Sequence, residues 1–160
     1  MSVRLYTKEG KNLSGQPWNV YPRPQLKRDS FVCLNGEWDF AVNERNYTEK
    51  ILVPFPPESM LSGVEKVFSD NDVLWYKTEF SLPENFARER IILHFGAVDQ
   101  KAEVFLNGVF VGSHEGGYLP FCFDITDFSF SFVIQDILCA VKFVIPTVYN
   151  INHLFSSSSR

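Results

Sequence analysis

Ala102-Glu103-Val104-Phe105-Leu106-Asn107-Gly108-Val109-Phe110-Val111-Gly112 is the stretch whose reading decides the fold class. Two apolar, β-prone runs flank Asn107-Gly108, and Asn-Gly supplies the two positive φ angles of a two-residue hairpin turn. A second Asn-Gly pair, Asn35-Gly36, sits between Phe31-Val32-Cys33-Leu34 and Trp38-Asp39-Phe40-Ala41-Val42. By the same rule it predicts a second hairpin.

Working outward, Leu74, Tyr76, Thr78 and Phe80 alternate within Val73 to Leu82, the period of a half-buried strand stopped by Pro83. Ile51-Leu52-Val53 is a short strand halted by Pro54, Pro56 and Pro57, and residues 58–72 read as a charged loop. Arg90-Ile91-Ile92-Leu93-His94-Phe95 ends at Gly96, and Phe121 to Ile125 adds another strand. Up to Asp127 no segment has helical period and length. Many short strands with turns every 8–12 residues imply an all-β, antiparallel β-sandwich or jelly roll. Trp38, Trp75, Tyr76, Phe80, Phe95 and Phe105 are expected to fill the gap between its sheets.

The 160 residues suit one domain with a tail, and 16 Phe with 21% charged residues exclude a disordered chain. A net charge of −4 without a basic run argues against nucleic acid. Cys33, Cys122 and Cys139 fit no zinc spacing, and their odd number argues against a disulfide framework, so they read as free thiols. Met1 to Glu9 lacks the apolar run of a signal peptide. Together these features predict a cytoplasmic protein.

Four segments, in order, resemble the N-terminal domain of family 2 glycoside hydrolases, the β-galactosidases and β-glucuronidases. They are Arg23-Pro24-Gln25-Leu26-Lys27-Arg28-Asp29-Ser30 running into Leu34-Asn35-Gly36-Glu37-Trp38-Asp39-Phe40; Val53-Pro54-Phe55-Pro56-Pro57-Glu58-Ser59; Leu74-Trp75-Tyr76-Lys77-Thr78-Glu79-Phe80-Ser81-Leu82-Pro83; and Leu93 to Asp99 continuing through Val104-Phe105-Leu106-Asn107-Gly108 and Val111 to Tyr118 as far as Asp124-Ile125-Thr126. The resemblance implies a galactose-binding-like jelly roll. It divides the chain into an N-terminal arm (1–22), the β-sandwich domain (23–128, incomplete at its C-terminal end) and an apolar tail (129–160).

The family's reaction is retaining hydrolysis of a β-glycosidic bond, which takes two carboxyl groups about 5–5.5 Å apart. In the family both are glutamates on a barrel downstream of this domain. The resemblance therefore carries no catalytic residue onto this chain, and no cofactor or metal is expected. It implies a non-catalytic sugar-binding-type domain, with a β-glycoside bound only in the intact enzyme, the parent's barrel as partner, and a homo-oligomeric parent. A stand-alone carbohydrate-binding module and an interaction domain are the alternatives.

His114, Glu115 and Tyr118, in the glycine-rich loop around Gly116-Gly117, are the candidates for substrate contact. His114 and Glu115 resemble an acid–base pair, yet neighbours in a turn cannot flank one scissile bond, so a structural role is favoured. Some galactosidase-like members place an acid near the active site at the position of Gly116, and its absence leans toward glucuronidase-like or short galactosidase-like members. Asp99 and Asp124 are expected to hold backbone amides at strand ends. Trp18 and Tyr21 either stack on a sugar or, as favoured here, pack the arm on the domain.

Only Asp136 and Lys142 carry charge across residues 128–145, and the period there fits a helix face or a strand. Ser129, Ser131, Gln135, Asp136 and Lys142 interrupt it, which argues against a membrane span. Residues 128–134 lack the Gly, Asn or Pro turn of the family's pattern, so 129–160 reads as foreign to it, as a frameshift would produce. An inner sheet edge then lacks its strand, unless Val141, Phe143 and Ile145 pair along it.

Overall fold

The computed structural model describes residues 7–21, 28–69, 71–86 and 89–128, together with the backbone of 137–144 and 153–157. It is an antiparallel β-sandwich. One sheet has the order β3-β2-β4-β9-β6-β7, with β2 Gly36–Val42, β3 Glu49–Val53, β4 Val73–Phe80, β6 Lys101–Leu106, β7 Val109–Glu115 and β9 Ile137–Val144. The other has the order β1-β10-β5-β8, with β1 Phe31–Cys33, β5 Ile91–Phe95, β8 Phe121–Asp124 and β10 His153–Ser157. A one-turn helix α1, Lys8–Lys11, and a 3-10 turn, Met60–Ser62, are added to the sheets. No helix among the described residues is long and apolar enough to cross a membrane.

The period-two pattern sorts side chains as strand geometry requires. Trp38, Phe40, Ile51, Val53, Leu74, Tyr76, Val104 and Leu106 face inward from the larger sheet and meet Ile91, Leu93, Phe95 and Ile125. Trp75 and Phe105 depart from the expectation that they fill this gap. Both have the opposite parity to buried neighbours, Tyr76 and Val104, and so lie on the outer face. Trp75 is covered there by Arg45, whose guanidinium carbon is 4.0 Å from the ring centroid, and its Nε1–H donates to Asn43 O at 3.1 Å.

Asn107 (φ 50°) and Gly108 (φ 79°) make the expected hairpin turn, pairing Leu106 with Val109. Asn35-Gly36 does not make one. β1 pairs with β10 and β2 with β3 and β4, so the dipeptide carries the chain from one sheet to the other. Tertiary contacts hold this corner. Trp38 Nε1–H donates to Leu34 O at 2.7 Å, Asn35 Nδ2 donates to Pro17 O at 3.1 Å, and Gln16 Nε2 donates to Cys33 O and Asn35 O at 2.7 and 2.6 Å.

The sheets draw on chain beyond residue 128. Residues 137–144, readable as helix or strand, form β9 between β4 and β6, with Val141 opposite both Tyr76 and Val104 and Phe143 opposite both Leu74 and Ala102. The inner edges of β4 and β6 are therefore paired. Ile145 lies outside the described residues, as does the side chain of Cys139. Cys33 and Cys122 are free thiols.

Candidate functional site

β7 delivers His114 and Glu115 to one end of the sandwich. Contrary to the expectation that both lie in a turn, they are the last two residues of the strand, and the turn comprises Gly116 onward. Successive strand residues point to opposite faces, so the two side chains diverge. His114 stacks on Phe121 at 4.2 Å between centroids, and Phe121 stacks on the buried Phe95 at 4.7 Å. Its Nε2 lies 3.1 Å from Gly116 O. A carbonyl only accepts, so Nε2 carries the proton in this contact. Stacked and engaged in this way, His114 braces the loop. Glu115 is exposed and sits opposite Lys101 across the ladder.

Gly116 (φ 117°) turns the chain, and its N–H donates to Gln100 O at 2.7 Å. Gly117 is required by a close approach: a Cβ there would come within 3 Å of the Asp99 carboxyl. Burial raises the Asp99 pKa above the ordinary carboxylate value. Asp99 thus differs from the expectation, since no backbone amide among the described residues donates to it. Asp124 matches the expectation. It accepts from Thr126 N at 3.1 Å, from Thr126 Oγ1 at 2.5 Å and from Arg90 Nε at 2.8 Å, which together lower its pKa to about 2.

Tyr118 is 84% exposed and Leu119 67%, so the loop ends in an apolar tip held by the anchored glycines. The structure thus brings His114, Asp99 and Tyr118 to one loop cluster and turns Glu115 out of it. Asp99 was legible as a loop acid but not as a partner of Gly117, because that contact joins segments far apart in sequence. Among the described residues no three His, Cys, Asp or Glu side chains converge as a metal site.

A second feature lies along the N-terminal arm. A groove of about 450 Å³ runs between the arm and β3, lined by Leu13, Glu37, Lys50, Leu52, Met60 and Leu61 among others. Lys50 Nζ lies 2.7 Å from Asp39 Oδ1 and 3.6 Å from Glu37 Oε1. Further along the arm Tyr21 packs edge-on to Phe31 at 4.9 Å, as favoured from sequence, while Trp18 touches Phe55 at 5.3 Å yet stays 59% exposed.

Residues 62–143 match the family model described as the sugar binding domain of the glycosyl hydrolases of family 2. A β-galactosidase of Thermoanaerobacter pseudethanolicus is 35% identical over 95 residues, covering 59% of this chain and 13% of that protein. A β-glucuronidase of Streptococcus agalactiae is 30% identical over 108 residues, covering 64% of this chain and 18% of that one. The solved structure of Bifidobacterium dentium β-glucuronidase, complexed with coumarin-3-O-glucuronide, superposes with a TM-score of 0.55 at 28% identity over 72% of this chain and 20% of that chain. A β-mannosidase of Dictyoglomus thermophilum shares the fold, with a TM-score of 0.60 at 21% identity over 71% of this chain and 15% of that one. This chain spans less than a fifth of the two curated relatives' length. With the family model matching half of its residues, the chain belongs to the glycosyl hydrolases of family 2 through their sugar-binding domain.

Proposed function

We propose that this chain is the non-catalytic β-sandwich of a retaining β-glycosidase of the β-galactosidase or β-glucuronidase kind, with the catalytic barrel and its two glutamates outside these 160 residues. The observation that carries this reading is the arrangement of carboxyl groups. Retaining hydrolysis needs two of them close enough to feel each other's charge. Asp99 is the acid in the loop cluster whose pKa is raised, and burial alone raises it, without a neighbouring carboxylate. Asp39 and Glu37, the acids beside the groove, both face Lys50 on the sheet's solvent face.

In this reading the tip Tyr118-Leu119 packs toward the barrel and helps shape the substrate entrance, with His114 as its brace rather than an acid or base. The test is turnover. The purified chain, incubated with nitrophenyl β-galactoside and nitrophenyl β-glucuronide, is expected to release no nitrophenol. Activity that co-purifies with the chain through several columns, and is absent from a mock purification, overturns the proposal.

A further inference from the structure

Trp18 is unusual on three counts. Its backbone lies in the left-handed region (φ 46°), which bulky residues rarely adopt. Its indole is 59% exposed although Phe55 lies beside it. Its N–H finds no hydrogen-bond acceptor among the described residues, whereas the N–H groups of Trp38 and Trp75 each donate to a backbone carbonyl. A loosely laid arm would bury the ring and relax the backbone. Instead the flanking chain is clamped: Gln16 donates to two carbonyls, Asn35 donates to Pro17 O, and Cys33 Sγ–H donates to Trp18 O at 3.6 Å. Four side-chain bonds thus fix the arm in the geometry that holds an aromatic face in water. Strain maintained by its surroundings is a pointer to function.

The surroundings indicate what that face takes. Phe55 follows β3, and its N–H donates to Leu52 O at 3.0 Å, so the ring that touches Trp18 is tied through the backbone to Leu52, which with Leu13 and Met60 lines the groove. Aliphatic floor, polar rim and exposed ring suit a pyranose, whose C–H face stacks on an aromatic while its hydroxyls meet polar groups. The rim has no positive charge to spare, because its one cation among the described residues, Lys50, faces two carboxylates, Asp39 and Glu37. An anionic sugar would have to displace those carboxylates, whereas neutral hydroxyls can bond to them in place.

We propose that Trp18 and Phe55, with the groove beside them, form a platform for a pyranose unit of a neutral β-linked glycan, separate from the Gly116–Tyr118 loop. The indole carries the sugar's C–H face and donates its N–H to a hydroxyl, and Glu37 and Lys50 serve hydroxyls of the next unit. The proposal rests on the sugar-binding-type reading of the domain, but its test is independent of turnover.

Trp38 and Trp75 are 1% and 7% exposed, so acrylamide quenching of the chain's fluorescence reports on Trp18. β-1,4-galactotetraose or cellotetraose at millimolar concentration is expected to protect that fluorescence saturably. A hyaluronan tetrasaccharide, which carries carboxylates, is expected to bind at least about tenfold more weakly. Trp18→Ala, followed by calorimetry with the same sugars, is expected to lose about tenfold in affinity with an unchanged circular dichroism spectrum, while Trp18→Phe retains most of it. No protection by either neutral sugar at 20 mM overturns the platform, as does undiminished affinity in Trp18→Ala. Hyaluronan binding as strong as the neutral sugars overturns the neutral-glycan assignment. None of these results bears on hydrolysis, so the proposed function stands or falls separately.

Discussion

Asn35-Gly36 and Asn107-Gly108 are the same dipeptide flanked by similar β-prone residues, and they take different conformations. Asn107 adopts the left-handed region with Gly108 beside it, both in solvent, and neighbouring strands of one sheet meet across them. Asn35 is 4% exposed, only Gly36 has positive φ, and the strands on either side belong to different sheets. The difference lies beyond the dipeptide. Around 107 the flanking runs can satisfy each other's backbone locally, giving six residue pairs from Lys101 opposite Glu115 to Leu106 opposite Val109. Around 35 the arm supplies Gln16 and Pro17 as hydrogen-bond partners, and Trp38 binds the carbonyl of Leu34. A hairpin there would break those bonds. Local turn chemistry thus decides a conformation only when nothing distant offers the same groups a better arrangement.

The comparison can be broken most severely at Trp38, the residue that ties the corner. Trp38→Ala is expected to cost about 3–5 kcal/mol by leaving a core cavity, and in a domain of this size that approaches unfolding. Trp38→Phe fills most of the space but leaves Leu34 O without its donor, and is expected to cost about 1–3 kcal/mol in urea denaturation. If Trp38→Phe is neutral, the corner is not held by that bond.

The two asparagines give the next contrast. Asn35→Ala strands Pro17 O, and is expected to cost about 1–2 kcal/mol. The loss is tempered because Asn35 Oδ1 is itself buried without a partner among the described residues. The same substitution should also free the arm, seen as faster proteolysis near residue 17. Asn107→Ala forces alanine into a left-handed conformation and is expected to cost about 1 kcal/mol, with no effect on the arm. Asn107→Gly is expected to be near neutral. Equal effects of Asn35→Gly and Asn107→Gly on stability and on arm proteolysis would mean that the corner is no more dependent on distant partners than the hairpin.

How far the sequence could be read follows the same division. The alternation on β4, the hairpin at 107–108, the proline stops and the all-β class all follow from neighbours in sequence, and all were legible. What escaped depends on distant partners. Trp75 and Tyr76 are both large and apolar, and nothing local says which faces the other sheet; Arg45 settles it by covering Trp75. Asp99 and Gly117 read as separate loop residues until folding places the carboxyl against the glycine. For Trp18 both sugar stacking and arm packing were open from the sequence, and nothing local decides between them, because the clamp that sets its backbone spans residues 16 to 35. The pairing of 137–144 was foreseen only as one of two periods.

Glycine substitution sharpens the comparison at smaller scale. An added Cβ at Gly108 meets nothing within 4 Å, and at Gly36 only Gln16 Cγ at 4.0 Å, so each alanine variant reports the backbone alone. Gly36, at φ 141°, lies where L-residues are rarer than at the 79° of Gly108. Gly36→Ala is expected to cost about 2 kcal/mol and Gly108→Ala about 1 kcal/mol, read as shifts in the urea midpoint. A reversed order would show that the corner relaxes more readily than the hairpin.

The smallest expected effect comes from a third turn, Asp124-Ile125-Thr126, which is local like the hairpin but closed by a charge. Asp124 accepts from Thr126 N and Oγ1 and from Arg90, and its folded pKa is about 2, below the ordinary carboxylate value near 3.9. A depressed pKa means the folded state favours the ionised form. The stabilisation is therefore fully present above about pH 4 and is lost as the pH falls toward 2. Neither Asn-Gly turn carries a titratable group, so they serve as silent references. The Asp124 side chain is 44% exposed and the Arg90 side chain 55%, so solvent screens the pair, and Asp124→Asn is expected to cost under about 1 kcal/mol at pH 7. The gap between the wild-type chain and Asp124→Asn in urea denaturation should shrink as the pH drops below 4 and close near 2, whereas the gap between wild type and Asn107→Ala should stay constant over the same range. A gap for Asp124→Asn that does not change with pH would mean that the turn is held by shape and the hydroxyl of Thr126, and not by the carboxylate.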